Sequence, residues 1–446
     1  MAKGEARKVT RRELIGSSAA AGGAALVVGG VAGYFIGNST ADDEGGGTAA
    51  GAGAGAGGEI RAVGIFPLGG FIAADGQEMR NGTVMAIDEL NANGGILGAQ
   101  IKYIEIDDGD SLAEDVTTAF NRAVETENPD VIVSGYHLAS GPEFDIVADA
   151  GRLYYNVNTQ QRWIDLYDKD PARYWGSFQC DPADTWYGGG FALWLNELVE
   201  SGAVKLDKTA AILAGDDAYD SFIAQNFESK IKELGWDVIH KGTFTAGKVP
   251  DWGPLLAKVR SNPPGMLFTA DYNPADDAAM AKQWAQNPVP GTLVYQQYGP
   301  SVPEYLKLAG DAANGMVWAT VLGLLPDQIG NDFRKRYEAK FGNPPGWANA
   351  GGCYDTVNVW AKAVTAAGTW SDYKRVAAET EKVIHRGTTG SISFKSHAGL
   401  AYPGQTPDPS LGQAHIIVQL QDGEHVVISP DPYTTGEFQP PPWFTA

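Results

Sequence analysis

The stretch VGIFPLGGFIAADGQEMRNG, residues 63–82, sets an apolar run, a glycine-bearing loop and a helix start in succession. That order presents backbone N–H groups to a ligand, and a phosphate is one ligand it could take. GIFPLGG is not G-x-G-x-x-G, however, and no G-x-x-x-x-G-K-[ST] occurs in the chain, so the dinucleotide and P-loop signals both fail. Asp75 stands before the helical run with Glu78 three residues on, the spacing of a capping box. A carboxylate there could also meet a ligand amine. Ser140, in GYHLASGP, precedes the helical segment PEFDIVADAG. Its hydroxyl, beside the N–H groups of a helix start, can bind a carboxylate or an amide oxygen, or cap the helix. Tyr136 and His137 share that loop, and Asn158 and Thr159 end the apolar part of YYNVNTQQRW, where ordinary turn chemistry explains them as well.

Enzymatic signatures are missing. There is no G-x-S-x-G, no H-E-x-x-H and no clustered Cys/His set, and the six histidines are scattered. No catalytic residue, metal or cofactor is expected. An α/β hydrolase of another type is the enzymatic alternative.

These residues need elements to hold them. From Glu59 the chain alternates short apolar runs with amphipathic segments. IRAVGIF reads as a strand, and GQEMRNGTVMAIDELNANGG as a helix with Met79, Thr83, Ala86, Ile87 and Leu90 on one face. AQIKYIEIDD, AEDVTTAFNRAVETENPD and DVIVSGY continue as strand, helix and strand. After about Asp181 the pattern restarts with TAAILAGD, AYDSFIAQNFESKIKELG and WDVIHKGTF. Such alternation predicts an α/β fold of two Rossmann-like lobes, each a parallel sheet covered on both faces. Ligands of such sheets bind outside the carboxyl ends of the strands.

The chain has 446 residues and a formal charge of −21, which argues against a nucleic-acid partner. Its first residues differ from the rest. Lys3, Arg7, Lys8, Arg11 and Arg12 precede the uncharged run LIGSSAAAGGAALVVGGVAGYFIG. Two adjacent arginines before a mildly apolar segment read as a twin-arginine export signal over 1–41, with STA as a cleavage site; a membrane anchor is the alternative. Either way the remainder is expected outside the cytoplasm, periplasmic or at the cell surface, and possible tethering follows from an uncleaved leader. Residues 42–58, DDEGGGTAAGAGAGAGG, are a low-complexity linker. Cys180 and Cys353 are the two cysteines, and their spacing leaves both a disulfide and two buried thiols open.

The run PLGGFIAADGQEMRNGTVMAIDELNANGGILGAQIKYIEIDD, followed in order by VIVSGYHLASG, AGDDAYDSF and FTADYNPADDAAMAKQWAQ, resembles the type I periplasmic solute-binding proteins of ABC importers. The match is to the branched-chain amino acid and amide/urea receptors, and it covers Glu59 to about Ser429. The resemblance implies two lobes joined by three crossover strands and closing on a ligand as a hinge. The crossovers would lie near Phe178 to Pro182, Val317 to Thr320 and Phe394 to Leu400. Lobe 1 would comprise 59–180 plus 320–394, lobe 2 181–319 plus 400–430, with 431–446 as a tail. It implies a monomeric receptor handing a small polar organic solute to separate ABC permease subunits. A sensor of the same fold signalling to a partner protein is the alternative.

The resemblance also implies a ligand set. Asp75 and Ser140 match cleft positions, and Asn158 and Thr159 match backbone and hydroxyl donors. Tyr219 and Tyr272 match aromatics that pack on the ligand, although Asp220 stands where relatives usually have Gly. Amino-acid receptors of the family tend to carry a Glu at the next strand end; here Tyr298 is the nearest equivalent, beside Gln296 and Gln297. A buried ammonium needs a carboxylate to offset its dehydration, so amides and urea-like solutes stay open beside amino acids. Asp216 and Asp217 could cap a helix or reach the cleft. Trp163, Trp175 and Trp186 suit a flat ligand or the core equally.

Overall fold

A computed structural model describes residues 58–70, 72–249, 251–400 and 412–445. The expected leader, and the expected linker up to residue 57, lie outside these. Among the described residues no helix is long and apolar enough to cross a membrane.

The first half runs β1 (Glu59–Phe66), α1 (Ala73–Ala92), β2 (Gln100–Asp107), α2 (Ala113–Arg122), β3 (Val131–Ser134), α3 (Pro142–Ala150), β4 (Tyr154–Asn156), α4 (Gln161–Lys169) and β5 (Ser177–Gln179). The second runs α5 (Thr185–Glu200), β6 (Thr209–Gly215), α6 (Ala218–Glu233), β7 (Asp237–Phe244), α7 (Gly253–Ser261), β8 (Met266–Ala270), α8 (Pro274–Gln286), β9 (Leu293–Gln296), α9 (Pro303–Ala309) and β10 (Val317–Thr320). Three helices follow, α10 (Gln328–Phe341), α11 (Asn349–Ala367) and α12 (Tyr373–Thr380), then β11 (His385–Gly387), β12 (Gly390–Ile392), β13 (Phe394–Lys395), β14 (Ala398–Gly399), β15 (Ile416–Gln421) and β16 (Glu424–Ser429).

Two seven-stranded, mainly parallel sheets result. One has the order β2-β1-β3-β4-β5-β14-β13, the other β7-β6-β8-β9-β10-β15-β16. In each, the first strand of the lobe lies between the second and third, so the winding reverses beside it. Residues in the inner strands are buried on both faces, as in β3 and β8 throughout, which is why these read as continuous apolar runs, whereas the edge strands β2 and β7 alternate with exposed residues. The helix α11 returns to the first lobe and packs along α1, where the backbone of Ala350 comes so close that a Cβ on Gly82 would meet its carbonyl oxygen at 2.0 Å. Cys180 and Cys353 are buried free thiols.

Two sequence expectations change. Helix α1 begins at Ala73 with Ile72 as its N-cap, so Asp75 sits inside the first turn and makes no capping box with Glu78. The segment from Asp431 is more than a loose tail. Trp443 is buried in the second lobe's core and donates its Nε1–H to the Thr292 carbonyl at 2.8 Å.

Candidate ligand-binding cleft

A cavity of about 260 Å³ opens where the carboxyl ends of the two sheets face each other, the position that the reversal of winding leaves free of crossing connections. Tyr136 to Ala139 follow β3, Val157 to Gln160 follow β4, and Leu112 precedes α2. From the second sheet come Asp217 and Tyr219 after β6, Tyr272 after β8 and Tyr298 after β9. Tyr187 of α5, Leu322 after β10 and Asn349 at the start of α11 complete the lining. Each lobe supplies one wall.

The lining thus brings together Tyr136, Asn158, Thr159, Tyr219, Tyr272 and Tyr298 of the expected set. The other two stand aside from it. Asp75 is buried behind the wall, its Oδ2 accepting from the hydroxyls of Tyr136 and of Tyr298 (3.1 Å). Burial lifts its carboxyl to about 6 against those two stabilising bonds. Ser140 donates its hydroxyl to Glu143 in the first turn of α3, and the Glu143 carboxylate also accepts from the Gly141 N–H at 2.5 Å. The serine is turned inward because the helix start has recruited its own side chain as an acceptor. Trp163 lies fully buried, stacked on Phe144 at 4.3 Å, and Trp175 and Trp186 pack against the core. None of the three lines the cavity.

Tyr187, Leu322 and Asn349 were missed because they come from elements outside the repeating strand-loop-helix pattern. Nothing local marks them; Asn349 is brought to the cleft only by the return of α11.

Local strain marks the floor of the cleft. Thr159 has φ 58, an uncommon conformation for a β-branched residue. Its N–H donates to Asp181 Oδ1 at 3.3 Å and its carbonyl accepts from Asp184 N at 2.8 Å. Both aspartates lie on the first passage between the lobes. Asn158 accepts the His137 N–H at 3.0 Å, fixing the neighbouring loop.

The electrostatics are one-sided. No Lys or Arg is among the lining residues; Asp217 is their one carboxylate. Its Oδ1 caps α6, accepting from the N–H groups of Tyr219 (2.9 Å) and Asp220 (3.0 Å), so capping and a place in the cleft coexist. Asp220 is fully buried, and burial beside the Asp217 carboxylate pushes its carboxyl well above the usual range. At the Tyr298 strand end the two amides are taken up by the protein: Gln296 bonds Asp277 and Tyr305, and Gln297 bonds Tyr295 and Tyr219.

His137 also touches the cavity. Burial pulls its imidazole down, but the Asp108 carboxylate, 2.8 Å from Nδ1, outweighs this and holds it above its ordinary value. Ser111 Oγ lies 3.3 Å from the same nitrogen. A relay from a nucleophile through histidine to an aspartate needs both ring nitrogens, and here Ser and Asp share one. Among the described residues no group of three His, Cys, Asp or Glu side chains is placed to hold a metal ion.

A periplasmic binding protein family model matches residues 59–402. The leucine-, isoleucine-, valine-, threonine- and alanine-binding protein of Pseudomonas aeruginosa is 24% identical over 334 residues, covering 75% of this chain and 85% of its own length. Among solved structures, a candidate branched-chain amino acid ABC transporter protein from Silicibacter pomeroyi superposes with a TM-score of 0.81 at 35% identity, covering 86% of this chain and all of the other. The branched-chain amino acid transporter substrate-binding protein LivJ of Streptococcus pneumoniae, solved with isoleucine, gives 0.70 at 19% identity over 84% of this chain and all of its own; this second likeness speaks to the fold alone. With the doubled sheet order, the cleft between the carboxyl ends and the family match in hand, the chain belongs to the periplasmic binding protein family, as a solute-binding protein of the type that serves ABC transporters.

Proposed function

We propose that the protein captures a branched-chain α-amino acid, or a solute with a similarly compact apolar body and an ammonium or amide head, outside the cytoplasm and delivers it to an ABC permease. The observation that carries the reading is the cavity itself. Leu112, Leu138, Ala139, Val157, Leu322 and a set of tyrosine rings offer apolar surface, while Asp217 supplies the lining's one carboxyl group. A net anion finds no cation in this lining, whereas an ammonium finds a carboxylate to offset its dehydration. The names of the relatives point to the same class. The receptor acts as a monomer and does no chemistry on its solute; the shared nitrogen of His137 supports the absence of a relay. If the leader stays uncleaved, the same receptor is tethered.

A thermal-shift screen with leucine, isoleucine, valine, alanine, urea, acetamide and benzoate tests this. A ligand at a hundred times its dissociation constant stabilises the fold by about 2.7 kcal/mol, and the branched-chain amino acids should give that shift. Tyr219→Ala should weaken binding at least tenfold with the unliganded melt nearly unchanged, since the ring is only half-buried. A shift by benzoate alone, or by none of the set, would sink the amino-acid reading.

A further inference from the structure

We infer that Tyr298 is a positioning residue that latches the two lobes over the solute, its hydroxyl held by Asp75 and Asn349 of the opposite lobe while its ring forms part of the cavity wall. The inference rests on the receptor reading of the cleft and goes beyond it, because it assigns Tyr298 and Asp75 to each other and not to the ligand.

The backbone is the first argument. Tyr298 has φ 65 and ψ −55, and the Gly299 N–H donates to the Gln297 carbonyl at 2.8 Å. That is a three-residue γ-turn of the rare, strained hand. Glycine would relieve the turn, yet the position holds one of the largest side chains. A strained residue persists where its surroundings over-determine it.

The surroundings here belong to the other lobe. Asn349, the first residue of α11, donates its amide N–H to the Tyr298 oxygen at 2.8 Å. The tyrosine then donates its proton to Asp75 Oδ2, on α1, at 3.1 Å. The Tyr136 hydroxyl donates to the same oxygen, and the two rings meet edge to face at 6.0 Å and 89°. Each tyrosine thus uses its oxygen as a linker and its ring as lining. Beside this link the Trp347 N–H, in the loop before α11, donates to the Ser301 carbonyl at 3.0 Å, so the seam continues away from the cavity.

Separating the lobes must break the bonds from Tyr298 to Asp75 and to Asn349, because their partners travel with different sheets. The strained turn is then released. Closure is favoured by the hydroxyl network and opposed by the turn, and a solute against the Tyr298 ring tips the balance by filling the space the ring bounds. A phenylalanine would pack as well and latch nothing.

The test compares the full-length protein with Tyr298→Phe, Asp75→Asn, Asn349→Ala and the Asp75→Asn/Tyr298→Phe pair. Small-angle scattering of the solute-free proteins reports lobe separation, and stopped-flow reports leucine association and dissociation. Tyr298→Phe should expand the solute-free protein and raise the leucine off-rate about tenfold, with the on-rate within twofold. The pair should fall clearly short of the sum of the two single effects, since both changes break the Tyr298–Asp75 link. Unchanged compaction and off-rate in Tyr298→Phe would overturn the latch, as would fully additive effects in the pair. Asn349→Ala, acting from the other lobe, decides the matter if Tyr298→Phe is poorly folded. Failure of leucine to bind the wild type would count against the solute reading alone, and the scattering comparison would still decide the latch.

Discussion

Glu78 shows how far a side chain can depart from what its place in the sequence suggests. Three residues after Asp75 it has the spacing of a cap, yet both its oxygens accept from the Gly346 N–H, at 2.7 and 2.8 Å, and it is buried. Burial raises its carboxyl from 4.5 to about 8, against the Gly346 bond, with Asp75 adding to the rise and Arg334 opposing it. The folded pKa lies above the unfolded one, so the group's contribution to stability is fully present below pH 4.5 and is lost as pH rises through 8. Asp75 acts in the same direction with its carboxyl near 6. Denaturant unfolding should therefore show a gain in stability between pH 8.5 and pH 5. Glu78→Gln should remove a part of that gain on the order of 3 kcal/mol; an unchanged pH profile would refute the assignment. Of the expected site residues, the tyrosines were legible because they follow strands ending at the cleft. Ser140 was not, because whether a hydroxyl faces a ligand or Glu143 depends on a rotamer that no spacing records.

At the level of elements, α1 and α11 approach through glycine and alanine. The ideal Cβ of Gly82 would sit 2.0 Å from the Ala350 carbonyl oxygen, so Gly82→Ala forces two helices of the first lobe apart. Overpacking of this kind costs about 1–3 kcal/mol. The midpoint of chemical denaturation should fall accordingly, and a variant as stable as the parent would mean that the helices shift freely. The helix faces were largely readable from periodicity: of the expected stripe, Met79, Thr83, Ala86 and Ile87 are buried, and Leu90 is half-buried against the core. The onset of α1 was not, since its N-cap, Ile72, makes no side-chain cap bond and so leaves no polar signature. The packing of α11 onto α1 was equally silent, because close contact between helices is made by small residues that are common everywhere.

Across the whole molecule, the chain passes between sheets after β5, after β10 and between β14 and β15, so each lobe is assembled from distant segments. The closing segment adds a staple: the buried indole of Trp443 meets Trp284 edge to face at 5.9 Å and bonds Thr292. Trp443→Ala should cost about 3–5 kcal/mol, read by denaturant unfolding, and should leave the residues of the cleft in place. A loss under about 1 kcal/mol would show that the segment only rests on the surface.

The sequence by itself determined the alternation of strands and helices, its restart after about Asp181, and hence two parallel-sheet lobes with ligand chemistry at the strand ends. Those features depend on local periodicity and on turn residues, which act over a few positions. Only the tertiary structure decided that Asp217 and not Asp75 lines the cavity, that Asn349 joins the wall, and that Tyr298 crosses to the other lobe. Each of these depends on which side chains burial brings together from segments far apart in the chain, and a carboxylate's charge or a tyrosine's partner is set by that neighbourhood.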